Sequence, residues 1–111
     1  MCFRLTEEIF EENALGAGQP LLVACVEGDA LRQDQELLLK EASLRLKDRM
    51  DIRVCTWAED RWFMERHKIT GTPTYVLFTD GEERDRLLGK SSLEELVKFA
   101  ETAIDDSRDL G

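Results

Sequence analysis

The feature that most constrains the fold of this chain is an uninterrupted run of six apolar residues, 21–26. A strand with one solvent-facing side alternates apolar and polar residues, whereas a strand covered on both sides is apolar throughout. The run is far shorter than the ~20 apolar residues that a membrane helix needs. It therefore predicts a central strand, with helices packed on both faces of its sheet.

Three further segments have the composition of strands. Residues 52–57 are rich in β-forming side chains, and residues 74–79 contain the apolar run Tyr75 to Phe78. The dipeptide Asp80-Gly81 favours a tight hairpin turn. Residues 84–88 are therefore expected to return antiparallel to 74–79.

Helices are expected between these strands and at both ends of the chain. Thr6 can cap a first helix, Asp29 a long helix running to about Asp48, and Ser91 or Ser92 a last helix. A short helix is expected over 59–67. The apolar face of the last helix consists of Leu93, Leu96, Val97, Ala100, Ala103 and Ile104. Because a strand–helix–strand unit has parallel strands, this order predicts a mixed sheet of the α/β class.

The length of the chain limits the number of domains, and its charge limits the classes of partner that it can bind. At 111 residues we expect one domain, residues 1–104, followed by an acidic flexible tail, residues 105–111. The 24 acidic and 15 basic side chains argue against binding to nucleic acid. An acidic surface either aids solubility or fits a basic protein partner. With no membrane-length run and no signal pattern, we expect no membrane partner and a cytoplasmic location.

The cysteines and the histidine do not suggest a metal site. Cys2, Cys25 and Cys55 are widely spaced, and His67 is the only histidine, which fits neither a disulfide framework nor a paired zinc site. No serine, cysteine or acid is spaced around His67 as in a catalytic set. We interpret it as a helix-end residue favoured by the helix dipole, and we expect neither a metal nor a cofactor.

Several short motifs, taken in order, resemble the thioredoxin family over residues 5–104. Pro20-Leu21-Leu22-Val23 matches the entry to the central strand of that family, and Ile69-Thr70-Gly71-Thr72-Pro73-Thr74 matches its cis-proline loop. Asp80-Gly81 matches its hairpin, and Gly89 the glycine after its last strand. The resemblance implies a thioredoxin-like three-layer sandwich, with a mixed five-stranded or four-stranded sheet and helices on both faces.

The chain differs from that family at the residues that carry out disulfide exchange. The family's Cys-x-x-Cys would fall on residues 30–33, and no cysteine lies between Cys25 and Cys55. The buried acid of the family and the lysine beside it match Ala24 and Val54. Disulfide exchange needs an accessible thiolate and a second thiol that resolves the mixed disulfide. The resemblance therefore implies the scaffold of the family without its reaction.

Cys25 and Cys55 leave a redox alternative open. By the same correspondence they lie on adjacent parallel strands, with their side chains on one face. They are either two small apolar residues packed beneath a helix, or the reactive thiols of a thiol-dependent oxidoreductase that works through one of them. Adjacent parallel strands seldom have the geometry of a disulfide, which favours packing.

The remaining functional surface is the loop around the proline. In the family, the residue before this proline offers its backbone groups to an extended substrate segment, and Thr72 matches that residue. We therefore expect a non-catalytic module that binds a protein or peptide segment, as an adaptor, an assembly or chaperone accessory factor, or a subunit. The expected binding residues are Glu27, Gly28, Asp29, Leu31, Arg32, Trp62, Thr72, Pro73, Gly89 and Lys90.

Two further expectations concern the tryptophans and self-association. Trp57 is expected to pack in the core. Trp62, on a short helix among charged neighbours, is either a packed side chain or an exposed contact. An alternative function is a structural domain that forms a homodimer through the outer face of a helix or a sheet edge. That alternative predicts a concentration-dependent mass and no need for Thr72 or Pro73.

Overall fold

A computed structural model describes residues 4–15, 19–27, 29–46 and 49–109 of the chain. Along these residues the elements are α1 (Glu7–Ala14), β1 (Leu21–Val26), α2 (Asp29–Leu46), β2 (Asp51–Thr56), α3 (Arg61–Arg66), β3 (Thr74–Thr79), β4 (Glu82–Leu88) and α4 (Leu93–Asp109). The bounds of β1 and β3 agree with the prediction, because both strands are built on apolar runs.

The described strands form one mixed sheet in the order β2-β1-β3-β4. β1 is parallel to β2 and antiparallel to β3, and β4 continues antiparallel at the edge. From residue 4 onward, the N-terminal segment adds an isolated bridge from Arg4 to Val54, and the Leu5 N–H donates to the Val54 carbonyl at 3.0 Å. Of the two predicted sheets, the described residues therefore form the four-stranded one.

Helices cover both faces of this sheet, and β1 contributes to the packing on each. All six side chains of β1 are buried. Its even-numbered residues belong to an apolar cluster with α2 and α4, which we call the α2–α4 face. Its odd-numbered residues belong to a second cluster with α1 and α3, which we call the α1–α3 face. Since side chains alternate along a strand, the uninterrupted run places apolar groups on both faces.

The helix starts are set largely by their capping residues. Thr6 caps α1 as predicted, with its Oγ1 accepting from the Ile9 N–H at 3.2 Å. Ser92 and Glu95 bond each other's backbone N–H at the start of α4, the reciprocal arrangement of a capping box. α2 begins at Asp29 itself rather than after it, and ends at Leu46. The predicted end, Asp48, lies outside the described residues.

The bounds of β2, α3 and β4 also differ from the prediction, as does the start of the tail. α3 covers Arg61–Arg66 rather than 59–67, because a carboxylate oxygen of the buried Asp60 accepts from the Thr56 N–H at 2.9 Å and holds the chain in a turn. α4 runs through Asp109, so the predicted tail begins inside this helix rather than after it. The division into a domain and a tail stays a prediction. None of the described helices is long and apolar enough to cross a bilayer.

The β3–β4 hairpin has the predicted turn and packs against α1. Asp80 and Gly81 have φ angles of 54° and 82°, and positive angles at both central residues define a type I′ turn. A Cβ on Gly81 would lie only 2.6 Å from the Cβ of Ala14. The turn is therefore pressed against the last residue of α1, at the end of the sheet opposite to the proline loop.

Candidate functional site

One end of the sheet brings together part of the predicted binding surface. β1, β2 and β4 finish there and β3 begins there, as their pairing requires. We call this region the proline end and define it by Glu27, Trp57, Thr72, Pro73 and Lys90. Three of the predicted segments, those around Glu27, Thr72 and Lys90, meet at this end although they are distant in the sequence.

The proline loop is fixed to its surroundings by hydrogen bonds. The Thr72–Pro73 peptide bond is cis, and Pro73 is buried. The Pro73 carbonyl accepts from the Gly89 N–H at 2.9 Å. On the other side of the loop, the Thr74 hydroxyl donates to the Gly71 carbonyl at 2.7 Å. The backbone between β3 and β4 is thereby tied together at the proline end.

Thr72 presents its own backbone polar groups at this end. The residue is half-buried, and its hydroxyl donates to a carboxylate oxygen of the exposed Glu27 at 3.4 Å. Within the described residues, neither the N–H nor the carbonyl of Thr72 has a backbone or side-chain hydrogen-bond partner. Backbone groups are normally paired in folded proteins, with protein or water. Thr72 thus has one donor and one acceptor available for an additional partner.

The remaining predicted residues of this surface are described to different extents. Gly89 and Lys90 are exposed next to Pro73, and Gly89 has a φ of 87°. The backbone of Asp29, Leu31 and Arg32 lies in the first turn of α2, but their side chains are outside the described part of the structure. Gly28 also lies outside the described residues.

Trp62 packs on the α1–α3 face. Its ring centroid lies 6.2 Å from that of Phe10 and 5.7 Å from that of Phe63, both in edge-on arrangements. The Arg66 guanidinium carbon lies 5.2 Å from the centroid of the Trp62 ring. The side chain is half-buried against the apolar cluster, so the structure shows packing, and a binding role for Trp62 stays a prediction.

Trp57 is an exposed tryptophan at the proline end. It directly follows β2, its N–H donates to the Val26 carbonyl at 2.9 Å, and 39% of the residue is exposed. The expectation that Trp57 packs in the core is therefore wrong, because β2 ends at Thr56 and a turn follows. The only signal for this in the sequence is the polar pair Glu59-Asp60 shortly after it.

Cys25 and Cys55 lie side by side beneath the α1–α3 face. They are register partners on β1 and β2, and both are fully buried free thiols, as predicted for packed cysteines. Burial raises the pKa of Cys25 to about 12, with Arg86 lowering it and Asp60 raising it to smaller extents. Burial, with Cys25 next in effect, raises the pKa of Cys55 as well. A raised pKa disfavours the thiolate that exchange chemistry needs. Cys2 lies outside the described residues.

The interior beneath α2 contains a neutral polar pair. Ala24 and Val54 both belong to the apolar cluster of the α2–α4 face. Beside Ala24 on β3 lies the fully buried Tyr75, whose hydroxyl donates to Oε1 of the buried Gln35 on α2. Burial raises the pKa of Tyr75, so the phenol remains protonated at neutral pH. Among the described residues, no group of three or more histidine, cysteine, aspartate or glutamate side chains is arranged to hold a metal.

Comparison with known proteins supports the fold. No protein family and no curated protein sequence matches the chain. Among solved structures 285 chains match, including the crystal structure of the J-Trx1 fragment of ERdj5. That match has a TM-score of 0.77 and 20% sequence identity, and it covers 94% of this chain and 52% of the other. This chain thus spans about half the length of that structure.

The fold is therefore thioredoxin-like, as the motifs implied. At this level of identity the comparison bears on the architecture alone, and one architecture supports many functions. What the chain does has to be argued from the proline end and from the cysteines.

Proposed function

We propose that this chain is a non-catalytic thioredoxin-like module that binds an extended segment of another protein at the proline end. In this role it is an adaptor, an assembly or chaperone accessory factor, or a subunit. The supporting observation is at Thr72, whose N–H and carbonyl have no hydrogen-bond partner among the described residues. An extended segment lying beside Thr72 satisfies both groups in the way an added strand does.

The side chains around Thr72 indicate the chemistry of that segment. Glu27 is exposed and in contact with the Thr72 hydroxyl, and it offers a carboxylate to a basic side chain. Trp57 is partly exposed at the same end, and tryptophan is enriched among the residues that dominate binding energy. The net charge of −9 of the chain, like the Glu27 carboxylate, attracts a basic partner. A segment with a basic and an apolar residue fits best.

The cysteines favour binding over disulfide exchange. Cys25 and Cys55 are buried with raised pKa values, and neither lies in a Cys-x-x-Cys pair. A nucleophilic thiol needs access and a substantial thiolate fraction at neutral pH. An oxidoreductase that works through Cys25 or Cys55 would require the α1–α3 face to open first.

A peptide selected from a random display library against the whole chain serves as the probe. Binding is mapped by amide chemical shifts of the isotope-labelled chain, with the largest changes expected at Thr72, Lys90 and the Trp57 indole. Glu27→Gln and Trp57→Ala should weaken binding. The matched controls are Glu12→Gln and Leu15→Ala, two exposed positions on α1 and directly after it. Shift changes centred away from the proline end would contradict the proposal.

N-methylation of the peptide, one residue at a time, tests the backbone pairing directly. One methylated position should lower the affinity roughly 3- to 10-fold, the effect of one hydrogen bond worth about 1 kcal/mol. Its neighbours, whose N–H groups point away, should change little. Equal losses at every position, or none, would exclude strand-like pairing with Thr72.

A thiol count and an insulin-reduction assay separate this function from that of an oxidoreductase. In the native chain Cys25 and Cys55 should be unreactive toward a colorimetric thiol reagent and should react once denaturant is added. Insulin should remain unreduced. Fast native reaction of either cysteine near neutral pH would instead favour an oxidoreductase.

A second candidate is self-association through the outer face of α2. Leu37 and Leu44 are 69% and 62% exposed, and their spacing of seven residues places them on one stripe of the helix. Sedimentation over a range of concentrations tests this candidate, which predicts a dimer that Leu37→Glu removes. A mass independent of concentration would reject it and leave the peptide-binding module unaffected.

A further inference from the structure

His67 packs among the aromatic rings of the α1–α3 face. Its ring centroid lies 4.5 Å from that of Phe63, 5.0 Å from that of Phe78 and 5.2 Å from that of Phe10. These rings belong to α3, β3 and α1, and the backbone of His67 forms the C-cap of α3. The only histidine of the chain is therefore located where three elements meet.

The Nε2 atom of His67 is buried, and no described group forms a hydrogen bond with it. A neutral imidazole tolerates this arrangement, since with its proton on Nδ1 the Nε2 atom carries only a lone pair. A protonated imidazole has an N–H on both nitrogens, and a buried donor without an acceptor is destabilising. The geometry around Nε2 therefore favours the neutral ring.

The charged groups that face His67 come from α3 and β4. Burial lowers the pKa of His67, Arg66 lowers it further, Glu83 raises it, and Arg86 lowers it. Arg66 is paired with Glu7 of α1 at 2.9 Å, and Arg86 with Glu83 at 2.8 Å. β3 contributes the uncharged ring of Phe78. The nearby acids are thus engaged by arginines, and the net effect opposes protonation of the ring.

The arginine from β4 also connects this region to the buried cysteines. Its guanidinium donates to the His67 carbonyl at 2.8 Å and to the Lys68 carbonyl at 3.3 Å. The same side chain is close enough to Cys25 to lower its pKa. Cys25 and Cys55 share one apolar cluster with Phe10, Phe63 and Phe78. A change in packing at His67 therefore acts on the layer that covers both thiols.

We propose that His67 is an acid-sensitive latch: protonation of its ring loosens the packing of α1 and α3 against the sheet and makes Cys25 and Cys55 accessible. The proposal does not depend on peptide binding at the proline end, so the two can fail separately.

The sign of the pH dependence follows from the ring environment. The folded chain favours neutral His67, so the unfolded or opened chain takes up the proton at a higher pH. The stabilising contribution is present above the ordinary histidine pKa of ~6.5 and is lost as the pH falls through the lower folded value. Mild acid should therefore open this face.

Proton NMR of the imidazole ring provides the first test. With one histidine in the chain, its ring signals need no assignment by mutation. The proposal predicts a pKa below the ordinary value in the folded chain. A pKa at or above that value would overturn it, because cation–π contacts with the phenylalanine rings would then outweigh the burial of Nε2.

Thiol accessibility provides the second test. In a Cys2→Ser background, dithiodipyridine, which reacts with thiols in acid as well, reports on Cys25 and Cys55 alone. The reaction should be several-fold faster at pH ~5.5 than at pH ~7.5 relative to the denatured chain. His67→Phe and His67→Leu should abolish this pH dependence. If a folded His67 variant shows the same faster thiol reaction at the lower pH, the proposal is overturned. The NMR titration uses the unsubstituted chain, so it does not depend on whether the variants fold.

Discussion

Gly81 and Gly89 share a left-handed backbone but differ in their surroundings. Gly81 has a φ of 82° and no room for a Cβ beside Ala14. Gly89 has a φ of 87°, and no atom of the described residues lies within 4 Å of the position that its Cβ would take. Gly81 therefore requires glycine both for its backbone conformation and for its contact with Ala14, whereas Gly89 requires it for the backbone conformation.

This difference gives a matched pair of substitutions. Gly89→Ala should lower the free energy of unfolding by about 1–2 kcal/mol, the cost of a left-handed L-residue. Gly81→Ala adds an overpacking cost of about 1–3 kcal/mol to the same backbone cost. Denaturant unfolding measures both changes. Equal losses would show that the contact with Ala14 relaxes freely.

Individual site residues differ in how far the sequence predicts them. The motif around Thr72 and Pro73 identifies the loop, because these few consecutive residues recur at the same loop in proteins of this fold. The exposure of Trp57 depends on where β2 stops, and the bond from Asp60 back to Thr56 decides this. A pattern of apolar residues does not encode such a bond. The same limit applies to His67, whose aromatic neighbours come from three separate segments.

At the scale of elements, apolar runs and local caps carry most of the predictable information. β1 is a continuous apolar run and β3 contains one, from Tyr75 to Phe78, and Thr6 caps α1 within a few residues of sequence. The number of strands is a different case, because among the described residues the segment at Arg4 makes a single bridge with β2 and not a fifth strand. Strand pairing between distant segments depends on the whole sheet, so local sequence patterns do not decide between four and five strands.

The contact between α2 and β3 allows a prediction at this scale. Tyr75→Phe leaves the buried Gln35 amide without its partner and should lower the free energy of unfolding by about 1–3 kcal/mol. Gln35→Leu should cost a similar amount by stranding the Tyr75 hydroxyl. The double variant removes both polar groups and should recover much of the loss.

Denaturant unfolding of all four proteins completes the cycle. Additive losses in the double variant would mean that the two side chains do not depend on each other, in conflict with their hydrogen bond. The amide chemical shift of Thr72 in each variant is a separate measurement, which reports whether α2 moves relative to the proline loop.

For the whole molecule, β1 couples the two faces of the sheet. Alternate residues of this strand belong to the α2–α4 cluster and to the α1–α3 cluster. Neither cluster can lose its contacts with the sheet without disturbing the strand that both share. The molecule should therefore unfold as one cooperative unit at neutral pH.

Two optical probes examine this prediction. In a Trp57→Phe background, tryptophan fluorescence reports on the α1–α3 side, where Trp62 packs. Far-UV circular dichroism is dominated by the long helices α2 and α4. The two denaturation curves should coincide at neutral pH. Separate midpoints would mean that one face melts first, which at neutral pH would contradict the coupling through β1.

The position of β1 in the sheet also has a consequence for the biosynthesis of the chain. Leu21 pairs with Phe78 and Cys25 with Thr74, so this strand lacks one of its two neighbours until the ribosome has made β3. Domains fold as units as the nascent chain emerges. Until then the most apolar segment of the chain is available to any chaperone at the exit tunnel. Slow translation between β2 and β3 should make the nascent chain most prone to aggregation.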